Sequence, residues 1–179
     1  MGLTYAQSFL RSHIVTADQL MILCRTPEQA KRLGELHEGC FFSDPQACVG
    51  VSDLIIIAVK PQDSSALFET IREWVDPSQV VLSIMAGIQM EAISQALRVE
   101  KIVRAMPNLP AQIGAGVTAF TSTDAVTRIE LVMVQNLINT TGKTLYVERE
   151  DMIDAATAIS GSGTAYVYFF MYFFIISNQ

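Results

Sequence analysis

With 179 residues, half of them apolar, the chain holds enough hydrophobic surface for a sizeable core, which excludes a disordered protein. A formal net charge of −6 and a pI near 4.8 leave no basic patch for a nucleic-acid backbone. Cys24, Cys40 and Cys48 lack paired metal-ligand spacing and read as reduced cytoplasmic thiols, and the first residues form neither a basic leader nor an apolar run of signal-peptide length.

In chain order, Leu3 to Leu10 fits a helix and Leu20 to Cys24 a short apolar strand. Thr26-Pro27-Glu28 then supplies an N-cap, a first-turn proline and an acid at the positive end of the dipole, so a helix through about Glu38 is predicted. Leu54 to Val59 is continuously apolar, as expected of a strand covered on both faces of a parallel sheet, and Pro61 stops it. Ser64 to Val75 returns to helical spacing, Val80 to Ile84 reads as a buried strand, Met90 to Leu97 as a short helix and Ile102 to Met106 as the next strand. Gly116 to Phe120 and Thr144 to Val147 read as later strands flanking a helix from roughly Ala125 to Thr140.

Strands separated by helices throughout predict a doubly wound, Rossmann-like α/β sheet, parallel in sense. Ligands of such sheets bind outside the strand ends. Ala58-Val59-Lys60-Pro61, Ile84-Met85-Ala86-Gly87 and Met106-Pro107-Asn108-Leu109-Pro110 all sit there. Small Ala58, Ala86 and Gly87 permit close backbone approach, Lys60 offers a cation, and two prolines hold the Asn108 amide between them. Without a ligand, the same residues describe a strand stopped by proline and an Asx-type turn. Arg25 and Thr26 end the second strand of the usual unit, where an NAD site tends to place an acid; a cation and a hydroxyl favour the 2′-phosphate of NADP. Ser160-Gly161-Ser162-Gly163 reads as a close helix contact, with the two serines as further pocket candidates.

Ala58-Val59-Lys60-Pro61, Arg104 to Pro110 and Ser160 to Tyr166 resemble, in order and spacing, the pyrroline-5-carboxylate reductases. This resemblance implies a nicotinamide enzyme reducing a cyclic imine, 1-pyrroline-5-carboxylate, to L-proline with NADPH. It implies that Met1-Gly2 matches the end of the family's glycine-rich phosphate turn, so that the sheet lacks its first strand. Residues 1–149 are then an incomplete dinucleotide-binding domain, and residues 150–179 the first helix of a truncated helical dimerisation domain.

By the same resemblance, Gly2, Arg25, Thr26, Ala58, Val59, Lys60, Pro61, Ile84, Met85 and Ala86 bind the cofactor, and Asn108, Ser160 and Ser162 the substrate. No metal is expected and no proton donor is assigned. The chain departs from the family at Met85, where a smaller residue is usual, at Leu109, usually threonine, and from Tyr172 onwards. The implied parent is a cytoplasmic homo-oligomer acting on a small molecule, and the short chain by itself is expected to be inactive. Two alternatives remain: a related NADP-dependent reductase of another imine or a hydroxy acid, and a non-catalytic remnant or binding module of the same fold. Ala165 to Ile176 falls short of the roughly 20 apolar residues of a spanning helix, which disfavours a membrane.

Overall fold

The structure is a computed structural model and describes residues 1–177. Asn178 and Gln179, the end of the expected 150–179 segment, lie outside the described residues. The elements run α1 (Gly2–Arg11), β1 (Met21–Leu23), α2 (Pro27–Gly34), β2 (Cys40–Phe42), β3 (Leu54–Ile57), α3 (Ser64–Ile71), β4 (Val80–Ser83), α4 (Met90–Leu97), β5 (Ile102–Met106), β6 (Gly116–Ser122), α5 (Arg128–Asn139), β7 (Gly142–Tyr146), α6 (Asp151–Ala156) and α7 (Gly163–Ser177).

Helix boundaries follow local chemistry. The Thr26 hydroxyl accepts the Gln29 amide at the start of α2, with Pro27 in the first turn. Thr127 and Glu130 form a reciprocal capping box on α5. Arg98, in the left-handed conformation, closes α4. The helices predicted to reach Glu38 and Val75 stop at Gly34 and Ile71. Gly34 is a poor helix continuer.

The strands form two sheets. In one, β1 pairs in parallel with β2, a strand of three residues that the periodicity does not reveal. In the other the order is β3-β4-β5-β6-β7. The expected parallel sense holds for β3, β4 and β5, but β6 runs antiparallel to β5. The physical reason is connection length: the short link between Met106 and Gly116 cannot make the crossover of a dozen or more residues that a parallel neighbour requires. Strand β3 ends its sheet, so Leu54, Ile55 and Ile56 are only partly buried and Ile57 alone is fully so, unlike the two-sided cover expected of this run.

Alternate residues feed two cores. Val80, Leu82, Val103 and Ala105 face Tyr5 and Phe9 of α1 and Val134, Leu137 and Ile138 of α5. Val81 and Ile102 face Phe68 and Ile71 of α3 and Ile93 and Leu97 of α4. Helices on both faces of a period-two sheet make the fold doubly wound, as predicted.

Beyond β7, Asp151–Ser177 runs as one helical stretch of 27 residues that is long and apolar enough to cross a membrane by length and composition. The apolar Ala165–Ile176 run is shorter; α6 and the π turn Thr157–Gly161 supply the added length. Only the first part is docked, with Ile153 buried against Met106, Ala119 and Val147. All of Tyr166 to Ile176 is exposed.

Candidate active site

Strands β3, β4 and β5 are parallel, so Ala58, Ile84 and Pro107 leave the sheet along one edge. The N-terminus of α1 reaches the same edge: a Cβ built on Gly2 would lie 3.1 Å from that of Ala58. Glycine allows this approach, and no side chain caps the helix.

At the end of β1, the Arg25 guanidinium is largely exposed and its Nη2 lies 3.1 Å from Asp63 Oδ2. Asp63 closes the 3-10 turn that begins at Pro61, so this ion pair brings Arg25 beside the Lys60-Pro61 corner. Lys60 is exposed. Thr26 caps α2 through its hydroxyl oxygen, and the residue is exposed.

After β4 the backbone turns through Gly87, whose φ is +72° with open space where a Cβ would stand. Ile84 and Met85 point inward, 8% and 1% exposed, one into each core. Met85 therefore does not narrow a pocket with its side chain; its backbone and Ala86 are what this turn can offer a ligand. Ala86 and Ala156 both pack against the cluster of Met106, Ala119, Val147 and Ile153, which draws the turn, the end of β5 and α6 together.

Asn108 has an extended backbone, and its side chain does not form the local Asx turn. Its Nδ2 donates to Ser160 Oγ at 3.0 Å, and its Oδ1 accepts the Val117 amide at 3.0 Å. Two predicted site residues are thus in direct contact. Ser160 lies in the π turn, a geometry often found at functional sites, and the Ser162 amide closes it by donating to Thr157 O at 2.9 Å. A Cβ built on Gly161 would lie 3.4 Å from Met106 Sδ, so the close approach at this motif is to the end of strand β5 and not to another helix.

Periodicity missed the ionic group beneath these segments. Arg104, with no exposed side-chain surface, donates to Glu150 and Asp154. A charged residue inside an otherwise apolar strand was the available signal. The two histidines lie just beyond helices rather than within them, and Gln7 meets His37 at 3.1 Å. Among the described residues no group of His, Cys, Asp and Glu could hold a metal. A cleft of about 420 Å³ flanking α1, lined by Leu3, Gln7, Leu10, Ile22 and His37, contains none of the predicted site residues. Burial raises the pKa of the Cys24 and Cys48 thiols, so neither is poised as a nucleophile.

Residues 1–87 match the family described as NADP oxidoreductase coenzyme F420-dependent. The chain is 31% identical over 171 residues to pyrroline-5-carboxylate reductase of Aquifex aeolicus, covering 95% of this chain and 60% of that one. The Pseudomonas aeruginosa protein of the same name is 32% identical over 164 residues, covering 90% and 60%. Over nearly its whole length the chain is similar to the pyrroline-5-carboxylate reductases. Among solved structures, the Plasmodium falciparum pyrroline carboxylate reductase with NADP bound superposes with a TM-score of 0.84 at 26% identity, over 99% of this chain and 65% of that one. The chain thus spans less than two thirds of the length of each of these three reductases.

Proposed function

We propose that this chain forms the dinucleotide-binding part of a cytoplasmic, homo-oligomeric, NADPH-dependent reductase that converts 1-pyrroline-5-carboxylate to L-proline. Residues 1–149 are the binding domain, and residues from 150 onwards begin a helical second domain. The contact of Asn108 with Ser160 carries this reading, because it joins a strand-end residue of the first part to the serine motif of the second.

The residues at the strand ends fit a phosphorylated dinucleotide. Gly2 and Ala58 leave room for close backbone approach beside a helix N-terminus, which favours phosphate. Arg25 and Thr26 would hold the 2′-phosphate, the guanidinium retaining free N–H donors beyond the one engaged by Asp63. Val59, Lys60 and Pro61 would border the nicotinamide half, with Lys60 as a cation beside it. Ile84, Met85 and Ala86 would pass their backbone alongside. When bound, the cofactor supplies the hydride, and the protein supplies orientation and electrostatics. Asn108, Ser160 and Ser162 would bind the substrate and set its imine carbon against the donor face.

The test is titration of the chain with NADPH and NADH, followed by pyrroline-5-carboxylate-dependent loss of NADPH absorbance, in this chain and in one extended to the length of its relatives. Tighter binding of NADPH, with turnover in the extended chain, supports the proposal. Equal affinities would remove the assignment of Arg25, and an inactive extended chain that binds NADPH would point to another substrate.

A further inference from the structure

Arg104 sits in the middle of β5 and alternates with Val103 and Ala105, so its side chain leaves the sheet on the opposite face from theirs. The guanidinium has no contact with water and must be paired to remain charged there. Its Nη1 donates to Glu150 Oε1 at 2.9 Å and its Nη2 to Asp154 Oδ1 at 2.6 Å. The same Glu150 oxygen accepts the amide of Met90, the first residue of α4, at 2.8 Å. Nε is buried without a partner.

Three chain segments therefore meet at one ionic group. Strand β5 continues from Arg104 into Pro107 and Asn108. The helix that begins beside Glu150 continues into Ser160 and Ser162. Helix α4 is entered from the Ile84–Gly87 turn. Each carries a part of the site proposed above: both terminal nitrogens of Arg104 tie β5 to the Glu150–Asp154 segment, and α4 is tied to that segment by the Met90 amide on Glu150.

We propose that Arg104, acting through Glu150 and Asp154, is the positioning residue of the site, setting the Ile84–Gly87 turn, Asn108 and the serine motif in mutual register. The assignment of those segments rests on the proposed function; the mechanical coupling does not. The fork of arginine is what the geometry needs, since two N–H groups diverge to two carboxylates on successive turns of one helix. Lysine would offer one point charge in place of that fork.

Hydrogen exchange on the full chain tests the coupling. The Met90 amide reports the bond to Glu150, the Val117 amide the bond to Asn108, and the Ser162 amide the π turn. Arg104→Lys and Asp154→Asn should speed exchange at Val117 and Ser162 by about ten-fold or more, the scale of one lost charge-assisted bond. Val81, whose amide is bonded to Lys101 O in the β4–β5 ladder, should stay within about two-fold, since it reports global opening. Met90 should stay protected in Glu150→Gln, which keeps an acceptor oxygen, and lose protection in Glu150→Ala.

A binding arm separates positioning from general stability. Asp154→Asn should weaken NADPH about ten-fold yet leave adenosine 2′,5′-bisphosphate, which carries the adenosine-side phosphates but no nicotinamide, unchanged. Unaltered exchange at Val117 and Ser162 in Asp154→Asn and Glu150→Gln would overturn the proposal, as would equal weakening of both nucleotides. Should Arg104→Lys fail to fold, those two milder variants decide. A wild-type chain that binds neither nucleotide would defeat the nucleotide reading, and the exchange comparison would still decide the role of Arg104.

Discussion

The amide nitrogen of Asn108 stands 3.0 Å from the hydroxyl oxygen of Ser160, 52 residues further along the chain. Because the same amide takes the Val117 N–H, Asn108 has one donor and its acceptor committed before any ligand arrives. In the proposed site, a side chain held at both ends would lose little freedom on binding.

Asn108→Ala should cost about 1–3 kcal/mol of stability, two hydrogen bonds being lost. Asn108→Asp should cost less, because a carboxylate still accepts from Val117 and from a rotated Ser160 hydroxyl. Urea unfolding of the three proteins should rank them Asn, Asp, Ala. An alanine variant as stable as the parent would show that these bonds do not persist in solution.

Arg25→Asp should weaken NADPH by about 1–3 kcal/mol, the scale for replacing a charge-assisted donor, while NADH is spared. Its melting temperature should move little, since the Arg25–Asp63 pair is exposed and such pairs contribute little to stability. Calorimetric titration with both nucleotides checks the first point, and a thermal scan the second.

Glu130 provides a pH signature. Lys101 Nζ, 2.7 Å away, and then the capping Thr127 hold its carboxyl down at about 2, against an ordinary value of 4.5. A depressed carboxylate stabilises the fold above its unfolded pKa, and that contribution is lost as the pH falls through the folded one. Stability should therefore decline between about pH 4.5 and pH 2. In Glu130→Gln this part of the decline should be shallower, measured by denaturant midpoints across that range.

Gly142 and Gly87 should respond unequally to alanine. At Gly142, φ is +142° and a Cβ would collide with the Gly116 carbonyl, so Gly142→Ala must displace the β6–β7 ladder where it begins. A loss of about 3–5 kcal/mol is expected there. Gly87 has φ of +72° and open space, so Gly87→Ala should cost only about 1–2 kcal/mol. Equal losses at the two sites would contradict the crowding at Gly142.

Much of this architecture was legible because it is local. Met90–Leu97 and Ile102–Met106 fall on the predicted boundaries. Strand β2 escaped notice because three residues carry no period, and the reversal of β6 because sense depends on the length of the link before it. The strand-end motifs were visible as punctuation by proline and glycine. Their bonding was not: Asn108 finds Ser160, and Arg104 finds Glu150 and Asp154, across 46 to 52 residues of chain. Nor does composition show that Met85 turns inward, since burial of a methionine depends on which core lies beneath it.

The separation of the two sheets has its own consequence for failure under heat. No ladder hydrogen bond among the described residues joins β1 to β3. The β1–α2–β2 unit is held to the rest by side chains, with Met21, Leu23 and Phe42 against the second core and Arg25 against Asp63. Such a seam parts in a smaller step than a continuous sheet does. The corner bearing Arg25 and Thr26 would then come away as a piece while β4 and β5 stay paired. On warming, the nucleotide discrimination proposed for Arg25 and Thr26 would fade before the protein as a whole melts.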